Sequence, residues 1–410
     1  MWPNRMQPEL AIGLPAAGSV FAVVLRSRPR AAIAGGAFLG LSGLAAIVLS
    51  IPGRTSDQLG VTLSLSSESR SLLIAAAAAL VLVVALAPVL VERAILLRWG
   101  LAGMAGMAAI AAATSIEVII LVVLALAVLQ AASPSGRSFA TRLRGPVLAA
   151  ALLALAAAAA RSDGPSILSR LAAVGLVAGL SAGLGTLPYV HEFDPEERTA
   201  TSPIPWMAFL GPVLALAVLT RARELVPAQG AALGAMVIGL GLVNMVWGSL
   251  ASWRTEGGAA AWHYSFMADW GLALCGFGLA IADGQRAALL MFYGILLSRL
   301  PLYLWSRQSL REKRPNDRPI NLLAAAMLAG SAPFAGFAAR VLLLRAATQV
   351  YWPLALVIGL GLLLWLPPSL RLGRSLGLPR GRQAWGVGIA LSVNVVIGLY
   401  PQPFLSLAGL

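Results

Sequence analysis

The sequence predicts an all-α polytopic membrane protein of about 14 transmembrane helices. Three observations carry this prediction. Apolar residues make up 59% of the chain and charged residues only 11%, more apolar surface than a soluble domain can hide. The apolar residues fall in long uncharged runs, among them 71–91 and 352–367, and about 20 such residues span a bilayer. The segments between the runs are short, and none is long enough to fold as a soluble domain.

In chain order the spans fall at 8–25, 31–51, 71–91, 95–113, 115–132, 146–160 and 167–188. They continue at 204–220, 230–251, 264–282, 287–306, 320–344, 350–367 and 384–406. Arginine clusters, Pro and Gly punctuate the intervals, as expected of loops at a membrane surface. The longest interval, 52–70, alternates apolar and polar residues in VTLSLSS and predicts a short external hairpin. The N-terminus, MWPNRMQPEL, lacks the basic leader of a cleaved signal, so the first span is expected to be retained.

The net charge of +14 would point to nucleic acid in a soluble protein. Here the arginines lie in short loops and report topology, so no nucleic-acid partner is expected. Most of them share a side with Arg26, Arg28 and Arg30, in the loops around Arg142 and Arg144, 307–318 and 371–382. The positive-inside rule puts that side in the cytoplasm, with both termini outside; the expected location is the bacterial inner membrane. The acidic exception is 191–198, with Glu192, Asp194, Glu196 and Glu197. The single cysteine, Cys275, supports neither a disulfide nor a Cys/His metal site and reads as packing. No phosphate-binding loop or HExxH motif occurs, and GLGTLP lacks the lysine and the strand of a phosphate loop.

Two spans are interrupted. GLSAGLGTLPYVHEF carries Gly183, Gly185 and Pro188, and LAGSAPFAGFAAR carries Gly330, Pro333 and Gly336. A break at membrane depth frees backbone groups, which then need protein neighbours or a polar cavity. Paired breaks fit a transporter built of inverted repeats; close packing of glycine-rich helices is the competing reading.

Four motifs resemble the antiporter-like subunits of respiratory complex I (subunit N) and the D-type subunits of Mrp antiporters. Pro188, Tyr189, Pro203 and Pro205 match an aromatic-and-proline stretch, with His191 one position late. Gly248, Leu250, Tyr264, Ser265, Ala268 and Gly271 match the Gly-Asn-Leu…Tyr-Ser signature without a gap. Leu328, Ala329, Gly330, Pro333, Gly336 and Phe337 match the second broken helix, and GLYPQPFLSLA resembles the Gly-x-Tyr-Pro ending. The resemblance implies 14 helices and two inverted five-helix repeats, each with a broken helix, in one transmembrane domain over 1–410. It divides the chain into N-terminal helices at 1–91, repeats at about 95–220 and about 230–367, and a terminal helix at 384–406. It also implies a membrane-arm role in proton translocation beside homologous subunits and lipid. Quinone, flavin and iron–sulfur clusters are then expected in partner subunits, with no cofactor in this chain.

The chain departs from that family where protons would move. Gly183 and Pro212 stand at two lysine positions, Ala259 and Ala260 replace a lysine–arginine pair, and Asp269 replaces a histidine. Only Arg340 keeps a charge at its position, and arginine does not release its proton in proteins. The one lysine, Lys313, lies in a polar loop. Six ionisable residues remain as expected charge sites. Arg340 and Asp269 lie inside spans, and Asp269 can relay a proton or pair with Arg299 or Arg340. Arg299 lies within an apolar run, where it either serves a polar path or snorkels to the interface. Glu117 matches either a carboxylate of the family's fifth helix or the loop before it. His191 and His263, near span ends, read as interfacial hydrogen-bonding groups.

Overall fold

The computed structural model describes residues 8–58, 61–87, 89–131, 139–162, 166–190, 206–309, 318–379 and 381–410. His191, the acidic loop after it, Pro203, Pro205 and Lys313 lie outside the described residues. Within them, every predicted span meets helix. Eight helices are long and apolar enough to cross a membrane, or nine if one pair bent by 86° counts as a single span. Shorter apolar helices account for three more of the predicted segments. This is a multi-pass α-helical membrane protein.

The chain forms two compact units. The first holds α1 (Pro8–Val24), α2 (Pro29–Leu49), α3 (Ser67–Leu86), α4 (Leu90–Ala112) and α5 (Ile116–Ala131). It continues with α6 (Phe139–Arg161), α7 (Ser166–Leu184), α8 (Trp206–Phe209) and α9 (Gly211–Leu225). Between α2 and α3, β1 (Thr55–Gln58) and β2 (Val61–Ser64) pair antiparallel, Thr55 opposite Ser64, where the alternating pattern predicts a hairpin. Ser66 caps α3 by accepting a bond from the Ser69 amide, the arrangement expected of a serine before an apolar helix. The core of this unit is aliphatic, with Ile47, Leu72, Leu73, Met107 and Ile110 fully buried.

The second unit holds α10 (Gly230–Arg254), α11 (Gly258–Gly278), α12 (Ala282–Gly294), α13 (Leu300–Ser309), α14 (Pro319–Ala329) and α15 (Ala335–Val350). It closes with α16 (Trp352–Leu364), α17 (Leu366–Arg374), α18 (Arg382–Leu399) and α19 (Pro401–Leu407). Gly234, Gly241 and Gly248 recur at heptad spacing along α10, and each faces the backbone of α11. A Cβ at Gly248 would fall 2.6 Å from the Ala268 nitrogen, and one at Gly241 2.6 Å from the Gly271 carbonyl oxygen. Small residues at this spacing let two helices touch backbone to backbone, which drives packing where the hydrophobic effect cannot. Cys275 is fully buried in this seam, 3.8 Å from the Ile238 carbonyl. Beyond the seam, Arg371 on α17 donates to the carbonyls of Ser252, Trp253 and Thr255, closing the C-terminal turn of α10.

Both predicted interruptions are helix ends, with sharper positions than the sequence suggested. Gly183 is still helical; the turn comes at Gly185, whose φ of 69° is left-handed. Gly330 ends α14 in the same region, at φ 62°. In each case a proline follows three residues on, Pro188 and Pro333, with a cis peptide bond before it. Gly336 is not part of the second gap; it lies in the first turn of α15, where a Cβ would come 2.9 Å from Gly330 Cα.

The two breaks differ in how their backbone is satisfied. At the first, the Leu187 amide donates to the side chain of buried Asn244 at 2.9 Å, and Tyr189 closes a turn onto Thr186. At the second, Ser331 donates back to Ala326 at 3.1 Å, while Ser331, Ala332 and Pro333 are exposed.

The predicted span at 287–306 is not one regular helix. Between α12 and α13 the chain makes a π-turn, Ile295–Arg299, in which the Leu300 amide reaches back to Ile295. Pro301 explains it. Proline has no N–H and its ring crowds the carbonyl four residues earlier, here that of Leu297. Widening the turn relieves the clash, and the Leu297 carbonyl loses its α-helical partner because residue 301 has no N–H. Asn394, buried on α18, donates to it at 3.2 Å.

Candidate functional site

Three of the predicted charge sites meet in the second unit. Asp269 projects from α11, Arg299 from the π-turn and Arg340 from α15, and all three are buried. Asp269 Oδ2 accepts an ion-paired hydrogen bond from Arg299 Nε. Of the two partners open to Asp269, it takes Arg299. Arg299 does not snorkel: it is 3% exposed, its Cζ lies 4.8 Å from the ring centroid of Trp365, and its Nη2 reaches the Leu328 carbonyl at 3.4 Å.

Arg340 completes the group at longer range. It feels the charges of both Asp269 and Arg299, yet no carboxylate lies within ion-pair distance of it among the described residues. Its guanidinium rests on the second break. A Cβ at Gly330 would fall 2.5 Å from Arg340 Cζ, so the left-handed glycine both turns the chain and makes room for the cation.

The break and the cluster are one construction. Ending α14 at Ala329 frees the carbonyl of Leu328, which then accepts from Trp365 Nε1 at 2.8 Å and from Arg299. The π-turn makes the second contribution, because it sets the register from which Arg299 reaches Asp269. Removing one partner of a buried ion pair costs about 3–5 kcal/mol, so the Asp269–Arg299 contact is a strong constraint on this region.

The remaining predicted residues stand apart. Glu117 opens α5 and pairs with Arg161 at the far end of α6, both well exposed, which is a surface ion pair within the first unit. His263 is half-buried near the start of α11, its ring edge-on to Tyr264 at 6.1 Å. Pro188 is exposed at the first break, and Gly183 is buried against Leu214. Pro212 sits in the first turn of α9, buried, and Ala259 and Ala260 open α11.

Asn244, Trp365 and Asn394 are supporting residues that the sequence reading missed. The sequence holds a trace of the asparagines, a polar amide within an apolar run, and of the π-turn, Pro301 shortly after Arg299; it holds none of the role of Trp365.

No protein-family model matches the chain, and no curated protein matches its sequence. Solved structures do match in fold. A chain of respiratory complex I from Thermus thermophilus with bound NADH aligns over 98% of this chain and 97% of its own, at TM-score 0.78 and 15% identity. A chain of the Mrp complex from Dietzia sp. DQ12-45-1b aligns over 98% of this chain at TM-score 0.79 and 15% identity, although this chain spans only 51% of it. The fold is that of these membrane-complex chains. A chain of the archaeal membrane-bound sulfane sulfur reductase gives TM-score 0.78 at 18% identity, over 97% of this chain and 76% of its own. The motif resemblance and the fold therefore point the same way.

Proposed function

We propose that the chain is an antiporter-like membrane-arm subunit of a complex I-like oxidoreductase, and that it supports proton translocation without relaying protons itself. The observation that carries this reading is the Asp269–Arg299–Arg340 cluster built onto the second break. It occupies the region where the family resemblance places a relay, but its two cations are arginines, which keep their protons. Its one titratable member is already bound to Arg299. The cluster holds charge in the membrane and has no base free to cycle.

On this reading the chain sits in the bacterial inner membrane as 14 spans with both termini outside, arranged as two inverted repeats. It packs beside homologous subunits, and quinone, flavin and iron–sulfur clusters belong to partners. Purifying the tagged chain in mild detergent tests the assembly: co-purification with quinone-binding and iron–sulfur subunits is expected, and recovery alone would refute it. Reconstituted assemblies carrying Asp269→Asn or Arg340→Ala test the role. An unchanged proton-to-electron ratio in both is expected, and a lowered ratio would return the chain to the pumping subunits.

A second reading rests on the equally good fold match to the Mrp complex chain. A cation/proton antiporter predicts that a Na⁺ gradient alone drives protons across vesicles holding the chain and its native partners. Failure of that exchange removes it.

A further inference from the structure

The cluster in the second unit contains two guanidinium groups and one carboxylate, so it carries an excess positive charge in a buried setting. Arg299 spends Nε on Asp269, Nη2 on Leu328 and one face on Trp365, and its Nη1 is buried with no hydrogen-bond partner among the described residues. Arg340 repeats the pattern: it is 8% exposed, and its Nε is buried without an acceptor. Beside it in the break, the exposed Ala332 amide makes no backbone hydrogen bond among the described residues. The N-terminus of α15, which begins at Ala335, adds the positive end of its dipole to the same region. Donors and positive charge accumulate here, while the one carboxylate of the cluster is already paired with Arg299.

We propose that this cluster is an anion-binding site behind the second break, holding a small monovalent anion, chloride in the cell, against Arg340 and Arg299. One negative charge brings the group to neutrality, and buried charges persist only when compensated. The site's shape of demand favours a sphere. Carboxylate and phosphate bind arginine best through a planar fork with both oxygens engaged. A halide accepts N–H bonds from whatever directions the protein fixes. Asp269 next door penalises a multivalent anion. Residues 331–333, next to the Gly330 on which Arg340 rests, are exposed, so the rest of the chain leaves this side of the site uncovered. The inference stands whether or not the chain belongs to an oxidoreductase.

The test uses the full chain purified with whatever subunits accompany it. Thermal unfolding is followed while chloride replaces gluconate at constant ionic strength, and chlorine NMR line width reads binding directly. A saturable rise in Tm of about 2 °C or more is expected, reproduced by bromide and not by gluconate. Line broadening is expected to be competed away by bromide. Both responses should vanish in Arg340→Gln and persist in Arg254→Gln, whose arginine is exposed at the end of α10. Equal Tm in chloride and gluconate overturns the proposal, and so does a chloride response that survives Arg340→Gln. A response seen only after partner subunits are stripped away also overturns it, because a partner carboxylate then fills the site. Should Arg340→Gln fail to fold, bromide competition on the unaltered chain decides: no competition, no site.

Discussion

Trp365 and Arg299 converge on a single carbonyl, that of Leu328, while the indole ring stands 4.8 Å from the guanidinium carbon. The helix that ends at Ala329 leaves this oxygen bare, and the two side chains that cover it come from other segments of the unit. The contact joins a backbone defect to a buried charge. Each makes the other affordable.

Trp365→Phe keeps an aromatic face toward Arg299 and removes the N–H from Leu328. A loss of about 1–3 kcal/mol is expected for the carbonyl left short of a donor, read as a lower Tm in detergent. Trp365→Leu also removes the cation–π contact and should fall further, by up to about 2 kcal/mol.

Breaking the ion pair from one side should be worse than removing it whole. Asp269→Asn leaves two buried cations unopposed and is expected to cost about 3–5 kcal/mol. The double substitution Asp269→Asn with Arg299→Gln should recover part of that loss. Strictly additive losses in a thermal-unfolding cycle would show that the pair is not coupled.

The same logic applies to the π-turn. Asn394→Leu strips the Leu297 carbonyl of its donor, at about 1–3 kcal/mol. Pro301→Ala restores a helical N–H four residues after Leu297 and should rescue Asn394→Leu in the double variant. No rescue would mean that Pro301 is not what opens that carbonyl.

Two glycines on α10 should respond in opposite directions. A side chain at Gly248 meets the backbone of α11, and Gly248→Leu is expected to cost at least about 1–3 kcal/mol through overpacking. Gly239 has open space around it, and Gly239→Ala should stabilise the helix by about 0.4–1 kcal/mol. Thermal unfolding of the two variants side by side checks the assignment of the seam.

Much of the fold was readable from local pattern, because a bilayer imposes long apolar runs and breaks them only at Gly, Pro or a charge. The hairpin at 55–64 and both interruptions followed from alternation and from Gly-Pro spacing. The turn itself fell at Gly185 rather than Gly183, since any of several glycines could have adopted positive φ. The choice of Arg299 as the partner of Asp269 depended on how α11 packs against the π-turn, thirty residues away in the chain. Asn244 and Asn394 passed unnoticed because an amide in an apolar helix announces no partner until the neighbouring backbone is known. Glu117 was equally ambiguous, and its pairing with Arg161 across α5 and α6 is a matter of helix ends meeting.

The glycine seam between α10 and α11 has an electrical consequence. With backbone against backbone at Gly241 and Gly248, there is no gap wide enough for a file of solvent, so that flank of Asp269's helix acts as a dielectric wall. On that flank the buried charges face packed backbone rather than water, so their interactions there are little screened. Across that flank the field of the cluster is therefore stronger than it would be across a wet one.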